Sequence, residues 1–159
     1  MSDDSLIVPK TLKSVHLWVH PEGRVPCGIF LQPTTADEAV AGEHPIDLLN
    51  KPEPFLVCRC GQQGDRQTRF YSKNAIVRVD YSESPQQTLT PGVRIRAEFQ
   101  LMDGALFHGE IREDLPPDRQ RLLDYMNVHT DRFVRLFLEQ DNVTLINKAY
   151  IMRVVPLGD

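Results

Sequence analysis

The chain carries no excess of basic charge. Its 159 residues hold 18 Lys and Arg against 22 Asp and Glu, a net charge of −4. Residues 1–88 contain 9 basic and 11 acidic groups, and residues 89–159 contain the same numbers. Neither half is a basic lobe, and neutralising a phosphate backbone needs one. DNA is therefore not an expected partner. Long apolar runs are also missing, with no stretch near the roughly 18 residues of a membrane span. The opening Met1-Ser2-Asp3-Asp4-Ser5 is acidic and polar, unlike a secretory leader. Cysteine is scarce. Cys27, Cys58 and Cys60 make an odd count with no disulfide framework, which fits a reducing compartment. The expected location is the cytoplasm, with no membrane contact.

Recurrent chemistry is missing as well. Cys58-x-Cys60 is not the usual zinc spacing, so no metal site is expected. His16, His20, His44, His108 and His129 do not pair with a recurring nucleophile. Gly61-Gln62-Gln63-Gly64 lacks the Lys-Ser/Thr of a phosphate loop. The expectation is no enzyme, no catalytic residues and no cofactor.

What the chain does have is a repeat. Gly23-x4-Gly28, Asp47-Leu48-Leu49-Asn50 and Lys73-x-x-Ile76-x-Arg78-Val79 recur as Gly104-x4-Gly109, Asp124-Tyr125-Met126-Asn127 and Lys148-x-x-Ile151-x-Arg153-Val154. A repeat fixes architecture before any single motif is weighed. The divisions it predicts are an arm at 1–13, a first unit at 14–82, a linker at 83–91 and a second unit at 92–159.

Within each unit the periodicity is that of strands. Val15, Leu17 and Val19 alternate with His16, Trp18 and His20; Val93, Ile95, Ala97 and Phe99 alternate with Arg94, Arg96 and Glu98. Asp103-Gly104 suits a tight turn needing positive φ. Further strands are expected near 25–31, 55–60, 68–71, 76–81, 105–112, 133–139, 143–146 and 150–155. A capping box at Thr35–Glu38 opens a helix that Gly42 and Pro45 end. Leu122 and Met126 share one face of a short helix at about 117–126. Gly28 and Gly109, inside strands, are expected to mark bulges or bends. The fold class is mainly β: two tandem small five-stranded antiparallel barrels, fused or separate.

Asp47, Asn50, Asp124 and Asn127 suit local turn closure, where Asp and Asn bond nearby backbone. The alternative is a polar ligand site completed by Lys73 or Lys148.

The order of these segments resembles the two signature segments of Sm-like small barrels, which belong with SH3-like barrels in shape. It is also similar to an uncharacterised class of bacterial barrel proteins with a D-x-L-N and I-N-K-x-x-I pattern. The resemblance implies that Asp47, Asn50 and Lys73, and Asp124, Asn127 and Lys148, lie where Sm-like proteins hold RNA bases. It departs from the family in the length of 28–47 and 109–124, and in Ser72-Lys73 and Asn147-Lys148 replacing an Arg-Gly turn.

Three functions follow as expectations. The first is a non-catalytic interaction or regulatory module acting through a protein partner or self-association. The second is single-stranded RNA binding in the Sm-like manner, with Phe70, Tyr71 and Tyr150 stacking bases. The third is sensing of a phosphate-bearing small ligand through Arg66, Arg69, Arg94 or Arg96. Shared positions mainly specify the fold. Differences between the copies, such as the three cysteines, the Trp18 face and the 117–126 helix, are expected to carry the specific function.

Overall fold

The structure, a computed structural model, describes residues 10–33, 42–61, 64–83, 92–117, 121–128 and 130–158. The expectations for the first nine residues, for Thr35–Glu38 and for most of the linker lie outside these.

Alternating apolar residues build β1 (Thr11–Val19), which turns at Gly23 into β2 (Gly23–Leu31). A single helical turn, α1 (Pro45–Leu49), precedes the hairpin of β3 (Phe55–Cys60) and β4 (Gln67–Ser72). A 3₁₀ turn at Lys73–Ala75 leads into β5 (Ile76–Ser82). The second copy repeats the order: β6 (Val93–Leu101), β7 (Leu106–Glu113), α2 (Leu122–Met126), β8 (Phe133–Phe137), β9 (Asn142–Asn147), a 3₁₀ turn at Lys148–Tyr150 and β10 (Ile151–Pro156). Among the described residues no helix is long and apolar enough to cross a membrane.

The copies agree in register as well as in sequence. In β1·β5 the ladder slips between Trp18 and Val19, leaving Val77 as the extra residue. In β6·β10 it slips at the same place, leaving Met152 extra. Gly23 and Gly104 both sit at positive φ, +94° and +92°, as the hairpin turns require.

The pairing differs from two self-contained barrels. All ten strands form one antiparallel sheet in the order β10-β6-β7-β8-β9-β5-β1-β2-β3-β4. Closing a barrel within one copy would need its fourth strand to meet its fifth. β5 instead pairs with β1 on one side and β9 on the other, so the copies join and the sheet stays open. Among the described residues β4 and β10 have a strand neighbour on one side only.

Two cores result, and both are shared. The first gathers Leu17, Ile29, Leu49, Leu56 and Val79 with Phe133, Phe137, Val143 and Leu145 of the second copy. The other gathers Phe99, Ile111, Leu122, Leu136 and Ile146, with Val77 of the first copy. Alternation along β9 makes this sharing unavoidable, because Val143 and Leu145 face one way and Ile146 the other.

Two expectations need correction. The segment before Gly42 lies outside the described residues, and Pro45 begins α1, where its missing N–H removes no bond. The second helix is shorter than 117–126, with Leu122 and Met126 facing the core as expected. Gly28 marks no bulge, since β1·β2 runs unbroken past it. Its missing Cβ makes room for Leu12, and that of Gly109 for Leu136 and the Phe137 carbonyl, each about to be met within 2.7 Å.

Buried acids make the fold sensitive to alkali. Burial pushes the phenols of Tyr81 and Tyr125 well above the usual range, and pushes the Cys60 thiol up to about 11. Among the described residues the Tyr81 hydroxyl has no hydrogen-bond partner. The folded state keeps protons that an unfolded tyrosine releases near pH 10, so this stabilisation is complete below about pH 10 and is lost above it. Lys73 and Lys148 have lowered pKa values and act in the opposite sense. A difference measurement isolates the phenol: Tyr81→Phe should lose less stability than the parent as pH rises above about 10. Parallel urea midpoints for the two proteins across that range would contradict this.

Candidate functional site at the seam and the open edges

The DxxN segments become single helical turns whose polar side chains point in different directions. The Asp47 carboxylate accepts from the His44 N–H at 3.0 Å, tying the start of α1. Asn50 ends α1 and reaches the other copy. Its Oδ1 accepts from Phe133 N–H at 2.7 Å and its Nδ2 donates to the Phe133 carbonyl at 3.1 Å. One side chain thus acts as an extra strand residue beside β8, where that strand has left β7.

Lys73 is only 1% exposed. Its ammonium donates to the carbonyls of Leu48 at 3.2 Å and Lys51 at 2.9 Å where α1 ends, the Leu48 carbonyl also accepting the Lys51 N–H at 3.3 Å. Burial pushes its pKa down. Asp47, Asn50 and Lys73 therefore gather around one helical turn, each side chain already bonded to backbone groups of the chain.

The second copy repeats part of this. Lys148 donates to the Val128 carbonyl at 2.8 Å, and burial lowers its pKa too. Asp124 pairs with Arg121 at 3.0 Å. Asn127, equivalent to Asn50, is exposed and has no side-chain partner among the described residues.

The seam itself is β5·β9, with Arg78 opposite Ile146, Val79 opposite Leu145, Asp80 opposite Thr144 and Tyr81 opposite Val143. Its polar centre is Asp80. That carboxylate accepts from Trp18 Nε1 at 2.9 Å, Thr144 Oγ1 at 2.7 Å and Arg78 Nε at 3.3 Å. The Arg78 guanidinium lies over the Trp18 ring at 4.0 Å and the Phe107 ring at 4.8 Å, so it bridges both copies. Asn147 adds bonds from Nδ2 to the carbonyls of Lys73 at 3.1 Å and Ile76 at 2.9 Å. Tyr150 donates to the Asn74 carbonyl at 3.0 Å.

Reading the sequence missed Asp80, Thr144 and Asn147. Arg78 recurs in the repeat and was a usable signal; the Trp18 face was singled out as a difference between copies. Arg69, considered above for phosphate, donates to the Tyr71 hydroxyl at 2.8 Å and sits beside Glu22.

Two cavities of about 460 Å³ flank this architecture. One lies across the seam, between Asp47 and Asn50 of α1 and Tyr125, Asp131 and Arg135 of the second copy. Arg135 pairs there with Glu113 at 3.4 Å, and burial raises the Glu113 pKa. The other lies on the first copy beside Leu48, Glu53, Phe55 and Val57. Leu48, Glu53 and Val57 are the positional equivalents of Tyr125, Asp131 and Arg135. The two cavities thus share three equivalent lining positions, and the second has no helix from another copy across it.

The outer strands leave apolar surface in the open. Phe70 on β4 is 68% exposed and Phe55 on β3 is 56% exposed, with Val57 exposed between them. At the opposite end of the sheet Met152 is 53% exposed, and Leu123 on α2 is exposed too. Comparison with protein-family models, curated proteins and solved structures finds no match to this chain.

Proposed function

We propose that the chain is a non-catalytic interaction module acting through protein contacts at the two open edges of its sheet. One observation carries this: Phe55 and Val57 on β3 and Phe70 on β4 form an exposed apolar patch on one face of the outermost hairpin, whose strand β4 is unpaired on its far side. Unpaired strand edges present a row of free N–H and C=O groups, and natural proteins cover them or use them. An apolar patch beside such an edge adds burial to main-chain bonding. In this reading each five-stranded unit is a small barrel whose wall is completed by a neighbour.

RNA binding at Asp47, Asn50, Lys73, Asp124, Asn127 and Lys148 has less support. Both lysine ammonium groups donate to backbone carbonyls, and Asn50 is engaged at the seam.

The test is the double variant Phe55→Glu/Phe70→Glu. The parent should run as a complex, with itself or with a protein retained from extract. The variant should lose that complex while keeping its circular dichroism. A parent that stays at the mass of one copy and retains no protein, with or without the two glutamates, would overturn the proposal.

A further inference from the structure

We infer that the β4 edge is filled by the β10 edge of a second copy of this chain, in the register that β9 and β5 already adopt within one copy. The inference rests on the reading of the edges as interaction surfaces and names their occupant.

The molecule contains the contact once and the two halves of the same contact unused. Aligning the recurring lysines, Lys73 with Lys148, places β4 on β9 and β5 on β10. The seam joins the last strand of the first copy to the fourth strand of the second. The two strands left at the edges are the fourth strand of the first copy and the last strand of the second. They are the complementary pair.

Burial follows the same correspondence. Phe70 matches Leu145, which is 0% exposed inside the seam. Phe55 matches Phe133, also 0% exposed, because each lies opposite the last residue of the following strand, Ser72 or Asn147. On the receiving side Met152 matches Val77, which is 8% exposed, and Leu123 matches Ile46, which packs against the first core. Apolar side chains that are covered at the seam are bare at the edges, on both the inserting and the receiving side.

The polar clamp has its counterpart as well. Asn50 holds both backbone groups of Phe133, and the equivalent Asn127 stands exposed, ready to hold those of Phe55 in a neighbour. The cavity beside Leu48, Glu53 and Val57 lacks the wall that α1 gives its twin; α2 of the neighbour would supply it.

The contact is head-to-tail, each copy giving one edge and receiving another. It also lacks the polar centre of the inner seam. Val155 and Arg69 stand where Asp80 and Thr144 do, and Gln100 stands for Trp18. The outer seam is therefore the one that opens on dilution.

The test uses two single-site variants of the full chain, Arg69→Cys and Val155→Cys, which the register places opposite each other. Light scattering of the parent should give a whole-number multiple of 18.2 kDa greater than one. Mild oxidation of the mixed variants should link one of each, while neither variant alone, nor the parent with its own three cysteines, should link. Asn127→Ala should weaken association on the order of tenfold, the loss of two backbone hydrogen bonds. Disulfide-linked pairs of Arg69→Cys alone would show a two-fold β4·β4 contact and overturn the register. So would a multiple mass with no mixed link. A parent with the mass of one copy would overturn self-assembly, leaving the edges to another protein if the Phe55→Glu/Phe70→Glu variant still loses a retained partner.

Discussion

Asp80→Ala is expected to lower the unfolding free energy by about 3 kcal/mol, because three donors lose their acceptor at once. Thr144 is fully buried, so water cannot replace the acceptor of its hydroxyl. The Trp18 indole N–H and the Arg78 guanidinium, whose side chain is 10% exposed, both lose the other carboxylate oxygen, Oδ2. An orphaned buried donor costs about 1–3 kcal/mol, and breaking a buried charge pair from one side costs more. The sum is softened because Asp80 itself is 34% exposed and water reaches part of the site. Asp80→Asn keeps an acceptor and should cost less. Arg78→Met made in the Asp80→Ala background should cost less than in the parent, since the stranded cation is already a liability there. Urea titration of the parent and these four variants measures this. A loss below about 1 kcal/mol for Asp80→Ala would mean that the seam is held by its apolar side chains and ladder alone.

Lys73→Met should cost about 2 kcal/mol, although it removes a charge from an almost fully buried site. Two opposing effects are in play. Methionine relieves the desolvation of the ammonium and keeps most of the apolar stem in place. Against that, the Lys51 carbonyl loses its side-chain donor and the Leu48 carbonyl falls back on the Lys51 N–H at 3.3 Å. Lys148→Met removes a single bond, to Val128, from a less buried position, and should cost about half as much. A lysine kept for an anionic ligand would behave in the reverse way, leaving stability intact when removed and abolishing binding. Thermal melts of the two variants separate these cases.

Much of the local structure was legible because it is local. Turn glycines, alternation in β1 and β6, and the Lys-x-x-Ile-x-Arg-Val ends all act within a few residues. Gly104 is required by its own φ, and Val15, Leu17 and Val19 declare their face by period. The choice of partner for β5 was not legible. β4 and β9 offer it similar patterns, and Phe70 and Leu145 are equally apolar. Which of them is buried depends on where the whole second copy sits. Asn50 misled for the same reason. Its type suits a local turn, yet its side chain bonds to a strand 83 residues away. The site was thus half visible. Its residues were marked by recurrence, while their partners were set by packing that no window of sequence contains.

The shared cores change what half of this chain is worth. A fragment ending at Ser82 would keep every strand of the first copy and lose Phe133, Phe137, Val143 and Leu145, the side chains that fill its interior from outside. The complementary fragment would lose Val77 and the Trp18–Arg78 stack. The inherited unit, doubled along the sequence, is therefore no longer the folding unit. Each duplicate has surrendered its independence to the other, and the connection through residues 84–91 serves to keep two dependent pieces in equal number.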